Sequence, residues 1–309
     1  MLVDSCLFRN WTWNSMSNRR GKFKMKKAIF YTYSGEYEWL VAVSIQSIID
    51  HYTSEETIDI LVFTDKTFET QQATIKKLPC LSGKPQIKIS FWRFPNWINR
   101  ITNNVSERFP AVTFLRLGIP IEFQEFDKML YLDADTLIYT DIHHVFNQLK
   151  TETIAGVLDI FHYLNTADDQ ILKQYNDTYN IVDSSKYINS GVLLYNNKQY
   201  AQHWTIDELV NNINDGQFSH FPDQELINQK FNPNILILPH EYNYQENISF
   251  LDHWQVPEKY KESLKLSEKN VRIKHFLPLP KPSSPLIGYR DQFDIDWWQM
   301  AMHLKEILS

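Results

Sequence analysis

The chain has 309 residues, of which 43% are hydrophobic and 14% aromatic, and it contains only 8 glycines. This composition excludes a disordered or fibrous protein and allows one large domain or two small ones. The net charge is −6, but residues 1–27 hold 7 of the 31 basic and 1 of the 37 acidic residues, so the remainder carries 24 basic against 36 acidic groups. Such an acidic body is a poor nucleic-acid surface, and we expect no nucleic-acid partner.

Two features bear on the cellular compartment. Cys6 and Cys80 give no disulfide framework and suit a reducing compartment. No stretch approaches about 18 consecutive apolar residues, so the sequence predicts no membrane-spanning helix. We expect a cytoplasmic protein with at most peripheral contact at the inner face of the membrane. Residues 1–24 lack the apolar core of a secretory signal, and we expect them to be an N-terminal extension, either non-native or disordered, with Met25 as the natural start.

Strand and helix patterns alternate along the first part of the chain. Strands are predicted over 28–33, 57–64 and 86–92, with helices over 37–52 and 66–78 between them. This order is typical of βαβ units and predicts an α/β fold with a mostly parallel central sheet. The absence of a Gly-x-Gly-x-x-Gly motif or P-loop after the first strand argues against a dinucleotide or P-loop site.

The later segments continue the same alternation. The pattern over 105–126 predicts a helix that contains Arg116 and is broken near Pro120. Further strands are predicted over 153–158, 192–195, 235–238 and 272–276, and further helices over 204–213, 221–230 and 294–308. Residues 165–179 are polar and suit a helix or a mobile loop, which we expect to cover the acceptor. The last helix is expected to dock on the parent domain.

The segment 128–136 carries the clearest chemical signal. A run that reads as a buried strand ends in Asp133 and Asp135, which are one residue apart. Alternate residues of an extended chain point the same way, so the two carboxylates can converge on one cation. A divalent metal offsets the cost of placing like charges together, and oxygen ligands suit magnesium or manganese. Because Asp-x-Asp is also common in helix caps and solvated turns, the motif alone does not distinguish a metal site from these structural roles.

Five stretches, in order along the chain, resemble glycosyltransferase family 8, the retaining group that includes glycogenin and bacterial lipopolysaccharide galactosyl- and glucosyltransferases. They are residues 116–120, 128–136, 188–196, 222–228 and 273–282. The resemblance implies a single GT-A-type, Rossmann-like domain over residues 25–285, followed by a C-terminal helical tail over residues 286–309.

The resemblance also implies a metal and phosphate site. Asp133 and Asp135 correspond to the metal-binding pair, and His275 to the third protein ligand. A mixed oxygen and imidazole set suits Mn²⁺, with Mg²⁺ as the alternative. Lys281 resembles the lysine that meets the donor's diphosphate, and Arg116 the arginine beside the nucleotide and the departing phosphate.

Other positions correspond to residues around the donor sugar. The resemblance places Ala134, Asp159, Asn189, Ser190, Asp223 and Gln224 there. Asp223 and Gln224 are the catalytic candidates, because a covalent mechanism would need a nucleophile beneath the anomeric carbon. An amide is a poor nucleophile, so we favour front-face attack, in which the leaving phosphate accepts the acceptor's proton. The first strand departs from the family's Asp/Asn-rich turn, and we expect Tyr33 to stack on the base, which is best taken as uracil.

The implied function is retaining transfer of glucose or galactose from a UDP-sugar to a glycan, lipopolysaccharide or glycoprotein acceptor, forming an α-linkage. Two alternatives stay open. Residues 132–136 also fit the Asp-x-Asp-x-Thr opening of haloacid-dehalogenase-type Mg²⁺ phosphatases, although that motif normally lies near a domain's start. A catalytically inactive nucleotide-sugar-binding module of the same fold is the second alternative.

Overall fold

A computed structural model describes residues 25–35, 37–66, 69–103, 110–160, 169–216, 218, 221–245, 258–277, 280–284 and 291–309. The strands are β1 (Lys27–Tyr33), β2 (Ile58–Thr64), β3 (Ile87–Trp92), β4 (Lys128–Leu132), β5 (Thr136–Ile138), β6 (Ile154–Leu158), β7 (Ile188–Asn196), β8 (Leu236–Leu238) and β9 (Ile273–His275). The helices are α1 (Glu38–His51), α2 (Glu69–Leu81), α3 (Leu115–Glu122), α4 (Ile142–Phe146), α5 (Asp169–Tyr179), α6 (Asn197–Tyr200), α7 (Ile206–Asp215), α8 (Pro222–Phe231), α9 (Glu258–Glu268) and α10 (Gln292–Leu308). Short 3₁₀ helices occupy Asn96–Arg100, Ala111–Phe114, Ser184–Lys186 and His240–Tyr242.

Seven of these strands form one sheet in the order β3-β2-β1-β4-β7-β6-β8. Neighbouring strands are parallel except where β7 runs antiparallel to both β4 and β6. The predicted α/β fold with a mostly parallel sheet is confirmed. Alternate residues of β1 enter separate apolar clusters, Ile29 and Tyr31 on one face and Ala28 and Phe30 on the other. The sheet is therefore covered on both faces, which explains its nearly continuous apolar strands.

The antiparallel strand β7 brings a polar stretch to the carboxyl end of β4. Leu132, the last residue of β4, pairs with Val192, and the Asp133 amide donates to the Gly191 carbonyl at 2.8 Å. The sequence predicted a short strand over 192–195, but the observed strand has 9 residues and begins at Ile188. The strand is longer than predicted because Ile188 pairs with Leu158 of β6, and the Gly191 carbonyl accepts from the Asp133 amide just beyond β4.

A second, two-stranded sheet pairs β5 with β9. Its register sets Thr136 opposite His275, and the Phe276 amide donates to the Asp135 carbonyl at 2.9 Å. His275 therefore lies beside the acidic pair although about 140 residues separate them in the chain.

Helix α3 continues through Pro120 to Glu122, so the predicted break at this proline was wrong. Proline lacks the N–H that would bond the carbonyl four residues earlier, that of Arg116. The Tyr195 hydroxyl donates to this carbonyl instead, at 2.9 Å. The helix tolerates the proline because a tertiary contact supplies the missing bond. The part of that predicted helix over 105–109 lies outside the described residues.

The chain's last helix packs on the domain. Trp297, Ala301 and Leu304 of α10 are 0% exposed and belong to the same apolar cluster as the buried face of α1. The Tyr139 hydroxyl donates to Asp296 at 2.8 Å, near the start of the helix. The expected docking of this segment is observed. Across the described residues, none of the helices combines the length and apolar character needed to cross a membrane.

Segment 165–179, predicted as a helix or a mobile loop, is helical over α5. Residues 161–168 lie outside the described part of the chain, so its expected role over the acceptor stays a prediction.

We predict that Trp297→Ala lowers the free energy of unfolding by about 3–5 kcal/mol, because it leaves a cavity in the cluster shared with α1. Urea denaturation measures this change. Met302→Ala is the control on the same helix: this side chain is 60% exposed, and its removal should change stability by less than about 0.5 kcal/mol. Equal, small effects would mean that α10 is not part of the cooperative core.

Candidate active site

A cavity of about 330 Å³ opens beyond the carboxyl ends of β1 and β4. This is where open α/β sheets bind their ligands. Its walls include most of the residues singled out in the sequence, namely Tyr33, Arg116, Asp133, Ala134, Asp135, Asn189, Ser190, Asp223, Gln224, His275 and Lys281. These residues come from strands β1, β7 and β9, from the segment between β4 and β5, from helices α3 and α8, and from the chain after β9, so the site exists only in the folded chain.

The acidic pair and His275 face one another in this cavity. His275 Nε2 lies 3.5 Å from Asp133 Oδ2 and 3.4 Å from Asp135 Oδ1. One ligand atom from each residue lies within 4.8 Å of the others, and among the described residues this is the one such group of three or more potential metal ligands. Two carboxylates and one imidazole form a set of oxygen and nitrogen ligands that fits a divalent cation such as Mn²⁺.

Arg116 holds the acidic residues from one side. Its Nη2 lies 3.1 Å from Asp133 Oδ1, and its Nε lies 3.2 Å from Asp223 Oδ2. Nη1 donates to the backbone oxygen of Ser190 at 2.9 Å and to its hydroxyl at 3.0 Å. Burial lowers the pKa of the Arg116 guanidinium, but the charges of Asp133 and Asp223 more than reverse this, so the pKa rises above its ordinary value. Arg116 therefore stays charged although it is only 8% exposed.

Lys281 contacts the acidic pair from the other side. Its Nζ lies 2.5 Å from Asp135 Oδ2 and also donates to the carbonyls of Phe276 and Leu277 at 2.7 and 3.0 Å. Burial raises the pKa of Asp135, but the charge of Lys281 is the largest of the opposing effects, which together hold this pKa well below its usual range. Asp135 is therefore an ionised ligand candidate at neutral pH.

The fixed charges that line the cavity do not balance. The three carboxylates outnumber the two permanent cations by one, the charged groups being Asp133, Asp135, Asp223, Arg116 and Lys281. A bound divalent cation would reverse the sign of the local charge, which suits an anionic ligand such as a diphosphate.

Gln224 and Asp223 are both heavily engaged. Gln224 is 2% exposed, and its Oε1 accepts from the Asn189 side chain at 3.2 Å and from the Ser190 amide at 3.0 Å. Asp223 Oδ2 accepts from the Ser190 hydroxyl at 2.8 Å. Burial raises the pKa of Asp223, against the opposing charge of Arg116.

The structure corrects the expected position of Asp159. This residue is 2% exposed and is not among the described residues that line the cavity. Its Oδ2 accepts from Asn189 at 2.9 Å and from Gln224 at 3.1 Å. Asp159 thus lies behind these amides and orients them.

The two tyrosines near the end of β1 differ in accessibility. Tyr33 is 3% exposed, and its ring packs in the apolar core beneath the cavity. Tyr37 lines the same cavity and is 42% exposed. The sequence analysis did not single out Tyr37. The feature of the sequence that could have indicated Tyr37 is its position as a large aromatic residue immediately before helix α1.

Gly191 allows His275 to approach β7 closely. A Cβ at this position would overlap the His275 ring and lie 2.7 Å from Asp133 Oδ2. Any larger residue here must displace two of the three candidate metal ligands.

Comparison with known proteins agrees with this geometry. The family model described as glycosyl transferase family 8 matches residues 28–282. The chain belongs to glycosyl transferase family 8. The family expected from the sequence is therefore confirmed.

Several glycosyltransferases are similar to most of this chain. It is 25% identical over 300 residues to glycosyltransferase GlyD of Streptococcus pneumoniae, covering 90% of this chain and 32% of GlyD. Its fold matches the bifunctional glycosyltransferase WbbM with a TM-score of 0.75 at 20% identity, covering 96% of this chain and 54% of WbbM. It matches the galactosyltransferase LgtC, solved with donor and acceptor sugar analogs, with a TM-score of 0.66 at 18% identity, covering 90% and 95%.

These matches confirm the expected GT-A-type fold. The chain spans about a third of the length of GlyD and about half that of WbbM. The family 8 match identifies the domain. The chemistry of the cavity bears on the activity.

We predict that Gly191→Ala weakens Mn²⁺ binding roughly 10- to 100-fold, because the added methyl group displaces His275 and Asp133. Isothermal titration with MnCl₂ measures this. The control is Gly83→Ala, where φ is +70° and the new Cβ meets nothing within 4 Å. It should lower stability slightly through backbone strain and leave Mn²⁺ affinity unchanged. Wild-type affinity in Gly191→Ala would contradict a shared metal site at these two residues.

Proposed function

We propose that this protein is a retaining hexosyltransferase that moves glucose or galactose from a UDP-sugar to a glycan, lipopolysaccharide or glycoprotein acceptor and forms an α-linkage. The observation that carries the proposal is the convergence of Asp133, Asp135 and His275 on one point of a cavity that also contains Arg116 and Lys281. The first three residues could bind one cation, and the two basic residues could contact the phosphates that the cation would hold.

Asp133, Asp135 and His275 would hold Mn²⁺, with Mg²⁺ as the alternative. When bound, the ion supplies positive charge that stabilises the diphosphate leaving group. The chain contributes further positive charge of its own at fixed positions. Arg116 and Lys281 lie on opposite sides of the acidic pair, within hydrogen-bonding distance of Asp133 and Asp135 respectively. Fixed cations at the place where charge develops lower the barrier without reorganisation during the reaction.

The nucleoside is expected at the end of β1. Tyr37 offers an exposed ring at the cavity, so we propose Tyr37, rather than the buried Tyr33, as the residue that stacks on the base. Thr32 and Ser34, which also line the cavity, can hydrogen-bond to the base or ribose. Uracil is our choice for the base.

The engaged state of Gln224 and Asp223 supports front-face attack. Both hydrogen bonds to Gln224 Oε1 use its lone pairs, and Asp223 is bound by Arg116 and Ser190. Gln224 Oε1 therefore has no lone pair left for attack on the anomeric carbon, and Asp223 is held at Oδ2 by an ion pair and a hydrogen bond. We therefore propose that the acceptor hydroxyl attacks on the face that the phosphate leaves, and that a departing phosphate oxygen takes its proton. Asp159 orients the amides of Asn189 and Gln224, and the second N–H of Gln224 Nε2 would donate to a sugar hydroxyl.

The phosphatase alternative is not favoured. In that chemistry the first Asp of the motif must attack phosphorus, whereas here Asp133 is bound by Arg116 and by the Tyr131 hydroxyl at 2.5 Å and faces His275. The family match also covers the segments around these residues. Screening UDP-glucose and UDP-galactose for Mn²⁺-dependent hydrolysis, beside simple phosphoesters, tests the proposal directly. Hydrolysis of the phosphoesters alone would refute it, and UDP-sugar binding without turnover would indicate an inactive binding module.

We predict that Asp135→Asn lowers Mn²⁺-dependent turnover of the UDP-sugar by at least about a hundredfold, because it removes one anionic ligand while keeping the side chain's shape. Release of UDP measures the rate. Asp207→Asn is the matched control. Asp207 is an exposed residue of α7 that pairs with Arg100, so this variant should keep wild-type turnover. Near-normal turnover in Asp135→Asn would exclude the proposed metal role.

A second prediction concerns the base. Tyr37→Ala should raise KM for the UDP-sugar roughly tenfold with a smaller change in kcat, because stacking on one base contributes about 1–3 kcal/mol. Tyr37→Phe keeps the ring and should retain the wild-type KM. If both variants raise KM equally, the hydroxyl rather than the ring binds the donor; if neither does, the base binds elsewhere.

A further inference from the structure

We propose that Asn243 is a positioning residue that holds the hydrogen of His275 on Nδ1 and so turns the Nε2 lone pair toward Asp133 and Asp135. Asn243 was not among the residues that the sequence singled out, and it does not line the cavity described above. This inference deepens the proposed function, because it rests on His275 being a metal ligand. It depends on a relay of hydrogen bonds whose direction is set by the backbone.

The relay begins at the amide of Gly191. A backbone N–H can only donate, and this one donates to Asn189 Oδ1 at 2.9 Å. The nitrogen end of the same side chain supports this orientation, because Asn189 Nδ2 donates to the carboxylate of Asp159 at 2.9 Å. Two partners with unambiguous roles therefore fix the orientation of the Asn189 amide.

Asn189 in turn fixes Asn243. Asn189 Oδ1 can only accept, so the atom of Asn243 that lies 2.9 Å from it must be the donor Nδ2. The reversed amide would bring two acceptor oxygens together at that distance. Asn243 Oδ1 is then the atom that lies 3.0 Å from His275 Nδ1. A carbonyl oxygen accepts only, so Nδ1 must carry the hydrogen.

A hydrogen on Nδ1 determines the state of the other ring nitrogen, Nε2. In a neutral imidazole with its hydrogen on Nδ1, Nε2 presents a lone pair, and here it faces the two carboxylates. A hydrogen on Nε2 would satisfy the carboxylates directly and block metal binding. Asn243 is 0% exposed and His275 is 1% exposed, so water does not replace the amide as a partner for Nδ1. Metal-ligating histidines commonly depend on such a partner for ring orientation and affinity.

The test uses three variants of the full chain titrated with MnCl₂ alone. Asn243→Ala removes the acceptor and should weaken Mn²⁺ binding roughly 10- to 100-fold. Asn243→Asp keeps an acceptor for Nδ1–H and should bind Mn²⁺ at least as tightly as wild type, although its second oxygen opposes Asn189 Oδ1 and lowers the melting temperature. Asn197→Ala is the control: Asn197 is also 0% exposed, and its amide donates to the Phe123 carbonyl, away from the cavity. This control should keep wild-type affinity.

Rescue by Asn243→Asp separates positioning from a merely structural role. If Asn243→Ala and Asn243→Asp lose affinity together, in parallel with melting temperature, the inference is wrong. It is also wrong if Asn243→Ala binds Mn²⁺ like wild type.

Nitrogen-15 NMR of labelled histidines in the metal-free protein at about pH 8 gives a second readout. Signals from His275 are identified by their loss in His275→Asn. We expect a proton on Nδ1 in wild type and in Asn243→Asp, and its transfer to Nε2 in Asn243→Ala. An unprotonated Nδ1 in wild type would overturn the inference. If wild type binds no Mn²⁺, the metal part of the proposed function fails, and the NMR result still decides whether Asn243 directs the His275 proton.

Discussion

The site depends on holding two carboxylates close together in a largely buried place. Like charges at short range disfavour ionisation, and burial adds to the cost. The structure meets that cost with one cation on each side, Arg116 at Asp133 and Lys281 at Asp135, and with the imidazole of His275 between them. This arrangement keeps Asp135 ionised and aims both carboxylates at one point. A divalent cation would make the net charge of this cavity positive, which suits a diphosphate ligand.

The antiparallel strand β7 makes this arrangement compatible with a parallel sheet. In a purely parallel sheet the amino end of the strand beside β4 would lie at the opposite edge, away from Asp133. Reversing β7 places Asn189, Ser190 and Gly191 at the cavity. There the first two orient Gln224 and Arg116, and the third leaves space for His275. One reversed strand thus joins the metal-binding residues to those that would bind the sugar.

Most of the fold and much of the site were predictable from local sequence. Continuous apolar runs identified the long strands, and the motifs identified Asp133, Asp135 and His275, because these residue types carry the chemistry themselves. The features that the sequence did not predict share a physical cause. Pro120 does not break its helix because the Tyr195 hydroxyl replaces the lost bond, Asp159 lies behind the amides that it orients, and the ring of Tyr33 is buried where that of Tyr37 is exposed. Each depends on a partner far away in the chain.

The sequence by itself determined the α/β class, the strand that ends in the acidic pair, and the family whose motifs the chain carries, because apolar periodicity and motif spacing are local properties. Only the tertiary structure decided which nitrogen of His275 faces the carboxylates, why residue 191 is a glycine, and that Asn243 takes part at all. Those outcomes depend on hydrogen-bond direction and on close contact between β4, β7 and β9. The register of these strands sets both the hydrogen-bond directions and the close contacts, and no short stretch of sequence encodes that register.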